Sequence, residues 1–187
     1  MKKHILFFSL FYSIVITGQV QTTTKTDFSY FDKNKNLVSL NFFGGLSRHS
    51  YTINLEVRYG KFWFSKFNMG METGLDVLNS DDRAYWLGPF ARYYFIKKKI
   101  APFAEVNYTY EVAKESSQNL SNYWRSYYHN IFSGGGVALT GILNHFGLEI
   151  FGGYLHTFGL VKGHPLNGDY HFNQDNFHYG LRFTIHF

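Results

Sequence analysis

Any chemistry in this chain has to come from histidine, hydroxyl and carboxylate side chains, because it holds nine His and no Cys. The missing Cys excludes a thiol nucleophile, a Cys-ligated zinc site, a disulfide scaffold and a lipid-modified N-terminal Cys. His164, His171 and His178 recur at seven-residue intervals in or beside one polar stretch that could approach His129 or His156. That spacing defines no metal geometry, so solvated histidines and no metal or cofactor site are expected. His49 with Ser50 and His156 with Thr157 are the nearest fragments of a Ser, His and carboxylate set. Neighbours on a strand point to opposite faces, however, so no catalytic residue is assigned and His156 is read as a rim residue. The chain carries no P-loop, dinucleotide-binding glycine fingerprint, G-x-S-x-G or H-E-x-x-H. It is therefore expected not to be an enzyme.

A second kind of candidate is the run Tyr123, Trp124, Arg125, Tyr127 and Tyr128. Rings and a guanidinium this close could contact a glycan, a lipopolysaccharide headgroup or a protein, since these side chains dominate binding hot spots. Alternatively, the run extends two strands upward and shields a barrel mouth.

The elements that would hold these residues follow from composition and period. The 187 residues are 21% aromatic, with 18 Gly and 3 Pro, which fits one ordered domain. Lys2 and Lys3 precede an apolar run from Ile5 to Ile16 and the small residues Thr17 and Gly18. Residues 1–21 are thus expected to be a signal peptide, cleaved between Gly18 and Thr22, the apolar run being too short for a spanning helix. Cleavage lowers Lys plus Arg from 18 to 16 against 13 acids, a net charge of +3 that gives no case for nucleic acid. Residues 22–36 are expected to be a flexible leader, and residues 37–187 the folded domain.

From Val38 onward the apolar period is two. The clearest stretch sets Phe177, Tyr179, Leu181, Phe183, Ile185 and Phe187 against His178, Gly180, Arg182, Thr184 and His186. Six apolar residues at that spacing fit a strand and no helix. Comparable strands are expected at about Leu37–Leu46, Tyr51–Gly60, Met69–Val77, Tyr85–Ile96, Ala101–Ala113, Asn130–Thr140 and His145–His156, eight in all. Their length exceeds that of ordinary strands and suits a tilted membrane crossing. Breaks near Phe64–Lys66, Lys97–Lys99 and Gly141–Asn144 are short, whereas Lys114–His129 and Thr157–Asp175 are long. That asymmetry is the one expected between periplasmic turns and extracellular loops, although Ser47–Ser50 is short.

The register turns Glu56, Arg58, Glu72, Asp76, Arg92, Glu105, Glu111, Glu149 and Arg182 inward. A soluble ligand-binding barrel needs an apolar interior, so the continuous apolar face must lie outside against lipid. Glu and Arg are expected to pair across the lumen, with Gly70, Gly74, Gly136, Gly147 and Gly180 making room. Tyr59, Phe62, Trp63, Tyr85, Trp86, Tyr93, Phe95, Tyr108, Tyr110, Tyr154 and Phe187 are expected in two interfacial girdles. The fold class is thus all-β, an eight-stranded antiparallel up-and-down transmembrane barrel.

With its signal peptide, GPFARYYF (Gly88–Phe95), APFAEVNYTY (Ala101–Tyr110) and terminal YGLRFTIHF (Tyr179–Phe187), the chain resembles the small eight-stranded outer-membrane barrels of the OmpA and OmpX type. The resemblance covers about residues 37–187 and implies a monomer in the outer membrane of a Gram-negative cell, in contact with lipid and lipopolysaccharide. It further implies that Tyr179, Leu181, Phe183, Ile185 and Phe187 are read by the barrel assembly machinery. It selects no activity, because that family includes structural, adhesive and defensive members.

Overall fold

The computed structural model describes residues 29–46, 51–78, 82–117, 120–142, 145–164 and 167–187. The proposed signal peptide, residues 22–28 of the leader, and His49 and Ser50 lie outside them. A 3₁₀ turn, Ser29–Phe31, precedes β1 (Asn36–Leu46), β2 (Tyr51–Phe64), β3 (Phe67–Leu78), β4 (Asp82–Tyr94), β5 (Ile100–Ser117), β6 (Leu120–Ile142), β7 (Phe146–His164) and β8 (Gly168–His186). Each strand pairs antiparallel with the next and β8 returns to β1, closing the barrel. The expected eight-stranded up-and-down fold is the one observed.

Two long breaks are largely strand. β5 and β6 stay paired up to Ser116 and Tyr123, and β7 and β8 up to Val161 and Tyr170. The hairpins therefore continue as ladders past the expected ends at Ala113 and His156, which corrects the loop reading of Lys114–His129 and Thr157–Asp175. Tight turns mark the opposite end, as between β2 and β3, where Lys66 adopts φ 72°.

Alternation of burial shows why the register is unique. Along β4, Ala84, Trp86, Gly88, Phe90, Arg92 and Tyr94 are buried and the residues between them face outward. Sliding the strand by one residue would exchange the two faces, carrying Arg92 outside. Outside, Leu55, Met71, Leu87, Val106, Ile150 and Leu181 are between 43% and 58% exposed. Phe62 and Trp86 are buried in the bore and do not belong to a girdle, whereas Tyr59, Trp63, Tyr85, Tyr93, Phe95, Tyr108, Tyr110, Tyr154 and Phe187 are exposed as expected.

Glycines make the bore fit its contents. A Cβ on Gly74 would meet the Trp86 ring at 2.0 Å, and one on Gly180 the Phe151 ring at 2.8 Å. The leader reading also changes from residue 29 onward. Phe31 is fully buried at the tight-turn end, its ring 4.6 Å from Tyr94 and 6.0 Å from Phe62. Its carbonyl accepts from the Lys66 N–H at 2.9 Å, while Asp32 pairs with Lys97. This segment stoppers the barrel.

The closing seam is shorter than the other ladders. Among the described residues, β1 and β8 are registered only from Leu37 against His186 to Leu40 against Phe183. At the bottom, Asn36 N–H donates to the Phe187 carbonyl at 2.7 Å and Phe187 N–H returns a bond to Asn36 at 3.1 Å.

Candidate functional site

The inward charges assemble by register. Arg58 stands opposite Glu72, Arg92 opposite Glu105, and Glu149 opposite Arg182, so each ladder supplies opposite signs side by side. Glu105 is the hub. Its carboxylate accepts from Arg58 Nη1 at 2.5 Å, from Arg92 Nε at 2.7 Å and from Arg182 Nη1 and Nη2 at 3.2 Å. Arg58 also bonds Glu56 at 2.5 Å and Glu72 at 2.7 Å, and Arg92 reaches Glu149 at 2.5 Å. Four glutamates thus face three arginines, and all seven residues are buried. Such a cluster tolerates burial only because nearly every charge has several opposed neighbours.

Rings fill the space between them. The guanidinium carbon of Arg182 lies 3.8 Å from the Phe151 ring centre, that of Arg92 4.5 Å from Phe103, and that of Arg58 5.4 Å from Phe90. These cation–π contacts were not anticipated, although Phe90, Phe103 and Phe151 share strand parity with inward charges.

Asp76 and Glu111 face inward as expected but do not join the arginines. Asp76 accepts from Asn54 Nδ2 at 2.6 Å and Glu111 from Asn130 Nδ2 at 2.8 Å. They line a cavity of about 130 Å³ above the cluster, with Glu56 and His178. Below the cluster, Tyr94 donates to Glu149 at 3.1 Å and packs on Phe31. The bore is therefore closed by charge pairs at mid-height and by rings at its base.

The five aromatic and cationic residues of β6 divide between two faces. Trp124 donates to Glu115 at 3.0 Å and Tyr128 to the same carboxylate at 3.1 Å, both inside the hairpin extension. Arg125 and Tyr127 face outward, with Lys162 Nζ 5.7 Å from the centre of the Tyr127 ring. The Tyr123 side chain lies outside the described residues. The run is thus a strand extension with two faces.

The histidines are dispersed in the same way. His164 packs on Trp124 at the hairpin end, His171 is exposed on the outer wall, and His178 turns inward against Phe151. No three His, Asp or Glu side chains among the described residues converge as a metal site. On the outer wall His156 Nδ1 lies 2.6 Å from Asp175 Oδ1, and His129 stacks on Phe158 at 5.1 Å and bonds Tyr108 at 2.7 Å. Thr157 faces away from His156, and the outward serine nearest in register, Ser133, stands opposite Tyr154. Of the C-terminal pattern, Tyr179, Leu181, Phe183 and Phe187 are exposed on the outer wall, and Ile185 is half-buried.

No family model and no curated protein matches the chain. Among solved structures, the crystal structure of the N-terminal β-barrel domain of Pseudomonas aeruginosa OprF superposes with a TM-score of 0.53 at 12% identity, covering 83% of this chain and 98% of that one. The crystal structure of Neisserial surface protein A gives a TM-score of 0.46 at 10% identity, over 81% and 95% of the two chains. Closed topology, tight turns at one end and the OprF superposition agree on the architecture: this chain is an eight-stranded up-and-down β-barrel.

Proposed function

We propose that the chain is an integral outer-membrane barrel of the OmpA and OmpX type, exported by its signal peptide, with a sealed lumen and a structural or surface-interaction role carried by its extracellular hairpins. One observation carries this reading: large apolar side chains cover the outside, while Arg58, Arg92, Arg182 and their glutamates are buried within. In water that arrangement exposes the aggregation-prone face and buries the soluble one; lipid covers it. A bore occupied by paired charges and rings opposes a pore function. The protein acts as a monomer in contact with outer-membrane lipid and lipopolysaccharide, and needs no nucleic acid or cofactor. Its terminal pattern, Tyr179 to Phe187, serves the barrel assembly machinery.

A second reading, a lipid-directed enzyme, draws on the His156–Asp175 pair, which faces outward on the barrel wall. The pair lacks a hydroxyl bonded to its imidazole among the described residues, so the non-enzymatic reading is preferred. Membrane fractionation with electrophoresis of boiled and unboiled samples tests the proposal. A heat-modifiable band in the outer-membrane fraction is expected; a monomer that stays soluble without detergent would overturn it. Phospholipid or lipid A turnover abolished by His156→Ala would establish the second reading instead.

A further inference from the structure

Seven lysines gather at the tight-turn end of the barrel. Lys33 and Lys35 lie in the segment before β1, Lys61 near the end of β2, Lys66 in the β2–β3 turn, and Lys97, Lys98 and Lys99 between β4 and β5. Their main chain is tied down. The carbonyl of Lys35 accepts from the Phe62 N–H at 2.8 Å, that of Lys66 from the Tyr94 N–H at 2.9 Å, and that of Lys99 from the Thr140 N–H at 2.7 Å. Separate segments thus present their cations from one hydrogen-bonded rim. Among the described residues the one acidic side chain at this end is Asp32, which is paired with Lys97. With a carboxylate at Phe187 counted as well, seven cations meet two anions. Lys66 Nζ donates to the Phe95 carbonyl at 3.0 Å, Lys61 Nζ lies 5.8 Å from the centre of the Trp63 ring, and Lys33, Lys35, Lys98 and Lys99 are exposed. Toward the hairpin end the balance differs: among the described residues Arg83, Lys114, Arg125 and Lys162 are matched in number by Asp82, Glu115, Asp169 and Asp175.

Like charges collected at one end of a molecule repel, and an anionic surface laid against that end removes the penalty. Level and residue type together select the surface. The lysines stand where the apolar wall stops, beside Trp63, Phe64, Phe95 and Phe146, which are between 49% and 66% exposed. Aromatic rings at the rim of a membrane wall settle at headgroup depth, which sets the neighbouring ammonium groups among headgroup phosphates. All seven cations are also Lys and none is Arg. An ammonium on a flexible stem is a hydrated point charge that suits a fluid array of phosphates, whereas a fixed planar ligand favours the guanidinium fork. Arg58, Arg92 and Arg182, which do have fixed carboxylate partners, lie in the bore.

Resting on the reading of the chain as an outer-membrane barrel, we propose that this lysine rim docks on anionic phospholipid headgroups of the leaflet at the tight-turn end, gathering lipid of the phosphatidylglycerol class around the base of the barrel. A lysine near an anionic lipid surface contributes about a fivefold gain in affinity, so one lysine engaged per headgroup gives about a fivefold preference for anionic over zwitterionic lipid. The test is electron spin resonance of the full chain reconstituted in phosphatidylcholine vesicles, with spin-labelled phosphatidylglycerol or spin-labelled phosphatidylcholine as the probe. Wild type is compared with Lys33→Gln/Lys35→Gln/Lys98→Gln/Lys99→Gln at the rim and with Arg83→Gln/Lys114→Gln/Arg125→Gln/Lys162→Gln at the hairpin end. Wild type is expected to immobilise the anionic probe about fivefold more strongly. That preference should fall toward unity in the rim variant and persist in the hairpin-end variant, while all three proteins keep the same heat-modifiable band. Salt applies the same test without a substitution, because exposed charges are screened: the preference should collapse in high salt. Equal immobilisation of the two probes by wild type, a preference that survives in the rim variant or in high salt, or its loss in the hairpin-end variant would each overturn the proposal. Sedimentation of wild type with purified peptidoglycan, lost in the rim variant and unaccompanied by any lipid preference, would overturn it in favour of a cell-wall contact. A wild type that immobilises neither probe and shows no heat-modifiable band fails the barrel reading itself, an outcome distinct from failure of the rim.

Discussion

Replacing Arg92 with Met tests the lumen cluster at its most committed residue. The residue is 1% exposed, and its side chain donates to Glu105 at 2.7 Å, to Glu149 at 2.5 Å and to Tyr94 at 2.9 Å. Met preserves much of the volume and the packing on Phe103 but leaves four carboxylates facing two guanidiniums. Removing one partner of a buried ion pair costs about 3–5 kcal/mol, a large share of the 5–15 kcal/mol that typically holds a domain together. Adding Glu149→Gln returns the cluster to the wild-type excess of one carboxylate, so the double variant should recover about 1–3 kcal/mol relative to additive losses. Urea unfolding in phospholipid vesicles, followed by tryptophan fluorescence, measures all corners of the cycle. Because the groups are dry, the loss should persist in high salt. A loss below about 1 kcal/mol for Arg92→Met, or strict additivity of the two substitutions, would refute the account of the cluster as a coupled, buried network.

Gly180→Val drives its side chain into the Phe151 ring and Gly74→Val into Trp86; each should destabilise the barrel by about 1–3 kcal/mol, whereas Gly163→Ala at the open hairpin end should act only through its positive φ. Phe31→Ala empties the stopper between Tyr94 and Phe62 and should cost about 3 kcal/mol, read as a lower urea midpoint. Deleting Phe187 removes the group that exchanges two backbone bonds with Asn36; the yield of heat-modifiable protein in cells should fall severalfold while total synthesis stays unchanged.

What could be read from residues alone depended on contrast between the faces. Where one face is apolar and the other turns charges and glycines into the bore, as along Phe177–Phe187, alternation is strong and the strand announces itself. Above that level both faces meet polar surroundings, the contrast fades, and Lys114–His129 reads as a loop although the ladder continues through it. Parity alone separated inside from outside, and it would have placed Phe62 with Arg58 and Trp86 with Arg92, had ring type not suggested a girdle. Height was the missing coordinate. Asp76 lies four residues from Glu72 and Glu111 six from Glu105, about 13 Å and 20 Å along their strands, too far to share the arginines. Phe31 carried no periodic signal because it precedes the first strand, and its role follows from the three-dimensional closure of the barrel end.

The absence of cysteine makes the central claim open to single-site spin labelling. Cysteines introduced one at a time at Leu87, Val106, Ile150 and Leu181, all outward, and at Thr109, inward, would carry the label in the chain reconstituted in lipid bilayers. The account expects the four outward labels to be relaxed strongly by oxygen, which partitions into lipid, and weakly by a water-soluble nickel chelate, with Thr109 shielded from the lipid phase. Outward labels that meet the nickel chelate as freely as an exposed loop would contradict it, and with it the assignment of the apolar face to the membrane.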